Sequence, residues 1–354
     1  MIDDFGWSPA LGQAFAPYAA RGFIPGRVAI QQRGSFHVIT EHGELRAGLA
    51  GRLVHAVPEG GHPVVGDWVA VAARPTEGTA TIQDVLPRRT LFTRQAAGGR
   101  HAQAIAANID IALLVSSMND DLNPRRLERY LAAAWASGAR PVLVLTKTDL
   151  CADPAAWIAA AEAIAFGVDV LAVSAVSGSG MAEFARLLRP GETCVLAGSS
   201  GVGKSTLVNA LAGADIMATG GIREDDAKGR HTTTHRELIR LPGGALLLDT
   251  PGMRAFGLID AQDGLGVAFD DIEALAGACR FRDCSHTTEP GCEIIAALEA
   301  GSLDAGRLKN FQKLQRELDR AARREDPIAR AAVHRQRVVL ARAQRAGKKH
   351  RGKG

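Results

Sequence analysis

Gly198, Gly203, Lys204 and Ser205 stand in the spacing G-x-x-x-x-G-K-S within the run G-S-S-G-V-G-K-S-T, Gly198 to Thr206. Glycines at such spacing let backbone N–H groups curl around phosphate oxygens, and a helix that starts at the lysine adds favourable potential for negative charge. Lys204 is expected to reach β- and γ-phosphates, and the Ser205 hydroxyl to ligate Mg²⁺. A chance match in a glycine-rich chain has odds of roughly a few per cent. The flanks lower those odds, because T-C-V-L-A-G before the loop reads as a strand and S-T-L-V-N-A-L-A after it as a helix. Gly198, Ser199, Ser200, Gly201, Val202, Gly203, Lys204, Ser205 and Thr206 are therefore the candidate phosphate loop.

Further groups fit around it. The run A-L-L-L-D-T-P-G ends a buried strand at Asp249, where a carboxylate can hold Mg²⁺ through water, and Gly252 can turn its N–H toward a γ-phosphate. Between them, K-G-R-H-T-T-T-H-R offers Thr232, Thr233 and Thr234 to complete the Mg²⁺ shell, with Thr233 favoured by its position in the run. Upstream, Thr146, Lys147, Thr148 and Asp149 follow the buried strand P-V-L-V-L-T. A carboxylate at Asp149 can accept from the ring N–H and exocyclic amine of guanine; adenine lacks that donor pair and would leave it unpaired. Lys147 can lay its aliphatic stem along the base. A second strand runs into Ser174 and Ala175, where the Ala175 N–H can reach the base oxygen. In an ordinary GTPase the phosphate loop comes first. Here the order is guanine loop, backup loop, phosphate loop, switch threonine, Mg²⁺ aspartate, which is a circular permutation that keeps each local βα unit whole.

These loops need a sheet to hold them. I-D-I-A-L-L-V-S-S and P-V-L-V-L-T read as buried strands, and P-R-R-L-E-R-Y-L-A-A-A-W-A-S-G-A as an amphipathic helix stopped by glycine. Such alternation implies a mostly parallel sheet covered on both faces. Before it, R-V-A-I-Q-Q, S-F-H-V-I-T, D-W-V-A-V-A and T-A-T-I-Q-D-V-L are short β-like runs that suit a small barrel or sandwich, an oligonucleotide-binding (OB) barrel among them. After it, Leu308, Phe311, Leu314 and Leu318 recur at helical spacing and are expected to pack inward. The expected divisions are 1–22 as a separate extension, 23–100 as the barrel, 101–262 as the permuted α/β domain, 263–320 as a Cys/His-bearing helical domain and 321–354 as a basic helical tail. The 354 residues are 46% apolar and 23% charged, an ordinary globular composition, and no apolar run is long enough to span a bilayer. The net charge of +4 is uneven: the tail holds eleven Lys or Arg against Glu325 and Asp326, net +9, which leaves −5 for the rest and suggests a polyanion partner. The acidic start M-I-D-D-F-G-W-S lacks a signal-peptide pattern, and five cysteines do not suggest a disulfide framework, so a reducing cytoplasm is expected; a monomer is assumed as the simplest state. Cys151 and Cys194 are expected to be ordinary buried thiols.

The remaining cysteines form Cys279-x4-Cys284-x-His286-x5-Cys292, three thiols and an imidazole in fourteen residues, which suits one closed tetrahedral Zn²⁺ site. Together with the permuted order, this motif resembles the bacterial assembly-factor family of ribosome small subunit-dependent GTPase A. The resemblance covers nearly the whole chain: G-D-W-V and L-P-R-R-T-x-L-x-R look like that family's OB barrel and its exit, and A-A-N-I-D-I-A-L-L-V like the first strand of its GTPase domain. It implies GTP hydrolysis stimulated by the 30S subunit late in that subunit's maturation, with the barrel and zinc domain on 16S rRNA. Thr146 departs from the family's usual asparagine, which braces neighbouring loops, so nucleotide affinity is expected to suffer while Asp149 keeps specificity. Met253 stands where many GTPases place a water-orienting glutamine. Slow intrinsic turnover and activation by a partner follow, with His231 the intrinsic candidate for orienting the attacking water. Two rivals are a P-loop ATPase or kinase, against which Asp149 argues, and a zinc-dependent RNA-binding protein with a vestigial or regulatory nucleotide site. Lys204, Ser205 and Asp249 together argue against the latter.

Overall fold

The structure, a computed structural model, describes residues 2–32, 34–55, 62–95, 102–119, 122–165, 167–217, 236–249 and 262–325. A helix α1 (Pro9–Ala19) opens the chain, with Ser8 accepting from the Leu11 N–H as its cap and Pro9 in its first turn. It is followed by β1 (Ile24–Gln32), β2 (Ser35–Thr40), β3 (Gly43–Leu49), a short α2 (Gly51–His55), β4 (Trp68–Arg74) and β5 (Thr79–Val85). β1 pairs with both β2 and β4, β2 with β3, β3 with β5 in parallel, and β5 with β4, so the five strands close into a barrel. Alternation drives the closure: Phe36 and Val38 of β2 and Leu45 and Ala47 of β3 point inward to meet Val28, Val69, Val71 and Ile82.

The first residues, expected to be a separate extension, are part of this unit. Leu11 and Phe15 are buried with Trp68, Ala70 and Leu86, and the Trp7 ring lies edge-on to Trp68 at 4.8 Å. Apolar side chains at this spacing on a short helix have nowhere else to be buried.

A two-stranded hairpin, β6 (Leu91–Gln95) and β7 (Ala102–Ala107), leads into the α/β domain. That domain comprises β8 (Ile111–Ser117), α3 (Pro124–Ser137), β9 (Arg140–Thr146), α4 (Pro154–Ile164), β10 (Asp169–Ala172), α5 (Met181–Leu187), β11 (Thr193–Ala197), α6 (Lys204–Ala212), β12 (Arg236–Arg240) and β13 (Leu246–Asp249). The sheet order is β10-β9-β8-β11-β13-β12, parallel throughout except for β12. β8 is buried at every position, as a central parallel strand must be. α3 is capped by Asn123 and ended by Gly138 in the left-handed region, where the sequence placed its stop. β12 does not end the sheet. Its outer edge pairs antiparallel with β1, Ile30 opposite Glu237 and Gln31 opposite Arg236, so the barrel and the α/β sheet share one hydrogen-bonded ladder.

The C-terminal region consists of α7 (Gln262–Ala268), α8 (Asp270–Gly277), α9 (Glu293–Glu299) and α10 (Ala305–Glu325). Leu308, Phe311, Leu314 and Leu318 of α10 are buried, on the face their spacing predicts. The basic tail beyond Glu325 lies outside the described residues. α7 and α10 seat this region on α3. Glu128 of α3, 1% exposed, accepts from Arg125, from Arg307 at 3.1 Å and from Asn310 at 2.6 Å, the last two on α10. No helix among the described residues is long and apolar enough to cross a membrane.

The backbones of these parts approach tightly at Gly264 of α7, where a Cβ would lie 2.2 Å from the Ala132 carbonyl oxygen and 2.4 Å from the Ala136 nitrogen of α3. Backbone atoms cannot yield as a flexible side chain can. Gly264→Val is expected to force the helices apart and destabilise the chain by about 1–3 kcal/mol. Gly266→Ala, at a position with nothing within 4 Å, is expected to be neutral or stabilising. Chemical denaturation of the two variants checks the contrast.

Candidate active site and metal centre

The loops expected to bind nucleotide all leave the carboxyl ends of parallel strands. β11 delivers the phosphate loop and α6 begins at Lys204. Gly198 passes so close to β8 that a Cβ would sit 2.3 Å from the Val115 carbonyl oxygen, while Gly201 and Gly203 have φ values of +81° and +93°. Only glycine takes these positions without strain. The Lys204 ammonium donates to the Gly198 carbonyl at 2.9 Å and to that of Ser199, so the loop's charge is held over its own opening. Ser205 is half-buried and Thr206 exposed in the first turn of α6. Asp249 is the last residue of β13. His231, Thr232, Thr233, Thr234, Gly252 and Met253 lie outside the described residues.

β9 ends at Thr146, which is 4% exposed. Its Oγ1 donates to the Val202 carbonyl at 2.6 Å and lies 3.3 Å from that of Ser116. The hydroxyl thus makes a direct brace between the two candidate loops, the kind of link expected of an asparagine at this position. Lys147 takes a left-handed φ of 61°, turning the chain so that Thr148 N–H donates to the Val173 carbonyl at 3.4 Å. Asp149 accepts from the Ser174 hydroxyl at 2.5 Å, and the Ser174 oxygen accepts from the Val176 and Ser177 N–H groups at 3.2 and 3.1 Å. Ser174 is 1% exposed whereas Asp149 is exposed, so the carboxylate is held from below with its outer side open among the described residues. This orienting role was not legible in the sequence, where Ser174 stood only as the start of a loop delivering the Ala175 N–H. Ala175 itself is half-buried beside it.

Cys279, Cys284, His286 and Cys292 come together, their ligand atoms all within 4.8 Å of one another. Cys279 Sγ lies 3.9 Å from Cys292 Sγ, and the His286 Nδ1 lies 3.6 and 3.5 Å from the two sulfurs. A tetrahedral ion with bonds of about 2.3 Å to sulfur and about 2.0–2.1 Å to nitrogen sets S···S near ~3.8 Å and S···N near ~3.5 Å. The donor set and its spacing fit such an ion. Glu289 secures the turn that presents His286: its carboxylate accepts from the Ser285 hydroxyl and from the N–H groups of Ser285, Thr287 and Thr288 at 2.9, 3.0 and 3.1 Å. The Ser285 hydroxyl, then the backbone donors, hold its carboxyl well below the usual carboxylate range. Of the other cysteines, Cys194 is buried, which pushes its thiol up to about 12 and leaves it inert, and Cys151 is half-buried.

The family model for the RsgA GTPase matches residues 85–259. The small ribosomal subunit biogenesis GTPase RsgA of Opitutus terrae is 44% identical, over 99% of this chain and 99% of its own length. That of Streptomyces coelicolor is 45% identical over 95% of this chain and 91% of its own. The chain belongs to the RsgA family. Among solved structures, YjeQ from Thermotoga maritima superposes with a TM-score of 0.64 at 26% identity, covering 84% of this chain and 98% of its own. The circularly permuted GTPase YloQ, at 24% identity and a TM-score of 0.60, shares the fold over 84% of this chain and 95% of its own. An ABC transporter model also matches residues 184–344, a span that holds the phosphate loop common to P-loop proteins. Membership of the RsgA family makes the protein a GTP hydrolase, a ribosomal small-subunit biogenesis factor that uses Mg²⁺ with its nucleotide.

Two variants test the geometry. Thr146→Val keeps the shape and leaves the Val202 carbonyl without its donor; GTP and GDP affinity is expected to fall about tenfold. Preference over ATP stays, because Asp149 and Ser174 are untouched; nucleotide titrations that match wild type would remove the brace's role. Glu289→Ala frees the turn before His286 and is expected to speed metal loss to a chelator by about 10- to 100-fold, read with a chromogenic zinc indicator.

Proposed function

We propose that the protein hydrolyses GTP while bound to the 30S subunit late in its maturation, with the barrel and the zinc-bearing region on 16S rRNA, and that hydrolysis releases it. The observation that carries this reading is the position of β12. The segment holding His231 and Thr233 runs directly into β12, which is hydrogen-bonded on one side to β13, ending at Asp249, and on the other to β1 of the barrel. Asp249 and Gly252 in turn lead toward α7 and the metal-binding region. Both parts proposed to bind RNA are thus attached by short covalent or hydrogen-bonded paths to the groups that surround the γ-phosphate, and a change there has a route to each.

In this reading the base sits on Asp149, with Lys147 along its face and the Ala175 N–H on its oxygen, and the phosphates lie in the loop from Gly198 to Thr206. Ser205, Thr233 and Asp249 surround Mg²⁺, Lys204 neutralises the β- and γ-phosphates, and His231 orients the attacking water when the chain is docked on the subunit. Zn²⁺ is held by Cys279, Cys284, His286 and Cys292 in a structural role, consistent with four protein donors and no open position. The working divisions are the barrel with its N-terminal helix to about residue 100, the GTPase domain over 101–262, the zinc domain over 263–320 and the basic tail over 321–354, in a cytoplasmic monomer.

Hydrolysis at fixed protein concentration, with and without purified 30S subunits and with ATP in parallel, tests the reading. Stimulation on the order of 100-fold is expected for GTP alone, the scale on which placing an attacking water acts. Nucleotide binding without stimulation would assign the activation to another partner, and a His231→Ala protein with full stimulated turnover would remove that residue from the mechanism.

A further inference from the structure

The loop between the first two metal-ligand candidates, C-R-F-R-D-C, carries a feature that neither nucleotide nor metal uses. Phe281 is 41% exposed, whereas every other phenylalanine among the described residues is buried or half-buried. Its loop is short and tied. The Arg280 N–H donates to the Gly291 carbonyl at 3.0 Å, the Cys284 N–H donates to the Phe281 carbonyl at 3.3 Å, and both ends enter the Cys/His cluster. Gly291 lies beneath the Arg280 stem, where a Cβ would come within 3.1 Å of the Arg280 Cβ. The Arg280 guanidinium sits 5.5 Å from the Phe281 ring centroid, and Arg282 is exposed on the other side of the ring in sequence. Asp283 is the one acid of the loop.

An exposed aromatic ring with one guanidinium beside it and a second arginine next in sequence carries a net positive charge even with Asp283, which favours a polyanion over an uncharged protein surface. It is well suited to a nucleotide: any base can stack on the ring, while the arginines neutralise neighbouring phosphates. We propose that Phe281 is a stacking platform for one unpaired base of single-stranded RNA, with Arg280 and Arg282 on the adjoining phosphates. The assignment rests on the RNA-binding reading above and narrows it to one residue and one kind of nucleotide.

The test uses the full chain with its zinc content verified, a short unstructured A-rich oligoribonucleotide as probe, and purified 30S subunits beside it. Phe281→Ala and Phe281→Leu are each expected to weaken oligoribonucleotide binding about tenfold, and Phe281→Trp to keep it. Replacing Arg280 and Arg282 together by alanine is expected to flatten the slope of log affinity against log salt by about 1.4. The leucine variant decides between stacking and apolar contact: binding at the wild-type level overturns the proposal. So does a loss on 30S subunits with none on the free oligoribonucleotide, which would point to a protein of the subunit. Failure of the wild-type chain to bind the oligoribonucleotide also overturns it. Stimulation of wild-type GTP hydrolysis by 30S subunits, measured separately, tells failure of this platform from failure of the broader reading.

Discussion

Parallel pairing of β8, β9, β10, β11 and β13 is the constraint on which the rest of the molecule depends. Parallel strands end on the same side, so every loop that leaves a carboxyl end opens on one edge of the sheet. Thr146, Ser174, Gly198 and Asp249 come from four such ends. Chain order has no bearing on this, because the ladder fixes neighbours in space and the connections only have to be long enough to return. That is why the permuted chain keeps its site. What the ladder leaves loose, single hydrogen bonds tighten: Thr146 onto the Val202 carbonyl, and Ser174 onto Asp149.

The units around this sheet share one apolar cluster and are fastened in addition by buried charge. Arg27, 2% exposed, leaves the barrel strand β1 and donates to the Phe5 carbonyl, to the Asn108 carbonyl at 3.3 Å and to the Thr193 hydroxyl at 2.7 Å, the last in the strand that carries the phosphate loop. Burial draws its pKa down to about 10, so it stays charged at neutral pH. Nearby, Arg88 makes a two-pronged contact with the buried Asp67, at 2.8 Å on each oxygen, and Arg89 pairs with Asp110 at 2.9 Å. These are the acid of G-D-W-V and the arginines of L-P-R-R-T: Asp67 with Arg88 ties the exit of the barrel to its own body, and Arg89 with Asp110 crosses to the GTPase domain. Glu128 does the same at the opposite seam, with α10. Removing Arg88 would strand the fully buried Asp67 carboxylate, a change that costs about 3–5 kcal/mol in buried pairs, whereas the exposed Arg89 contributes little by its charge alone.

Chemistry that lies within one βα unit was legible from residue types and spacing. The phosphate loop, the end of α3 at Gly138 and the Cys/His cluster each depend on neighbours a few residues away, and their glycines, caps and ligands can be counted along the chain. β3 was not read from the sequence because Gly43 and Gly48 and the charges of Glu44 and Arg46 mask its alternation; Leu45 and Ala47 still point inward. The first twenty residues read as an extension because a short helix shows its apolar face without showing what covers it, and Trp68 lies far along the chain.

The sequence by itself supplied the candidate chemistry of this protein: the residues proposed for phosphates, guanine and a metal ion, and the permuted order in which they occur. Residue type and local spacing suffice for that, since each motif closes within a turn or a single strand–loop–helix unit. Only the tertiary structure decided that Thr146 braces the phosphate loop, that Ser174 aims Asp149, that β12 pairs with the barrel and that Arg27 and Glu128 fasten the seams. Each of these joins residues dozens to more than a hundred positions apart. Their partners are chosen by strand register and burial, which the whole fold sets and no single segment contains.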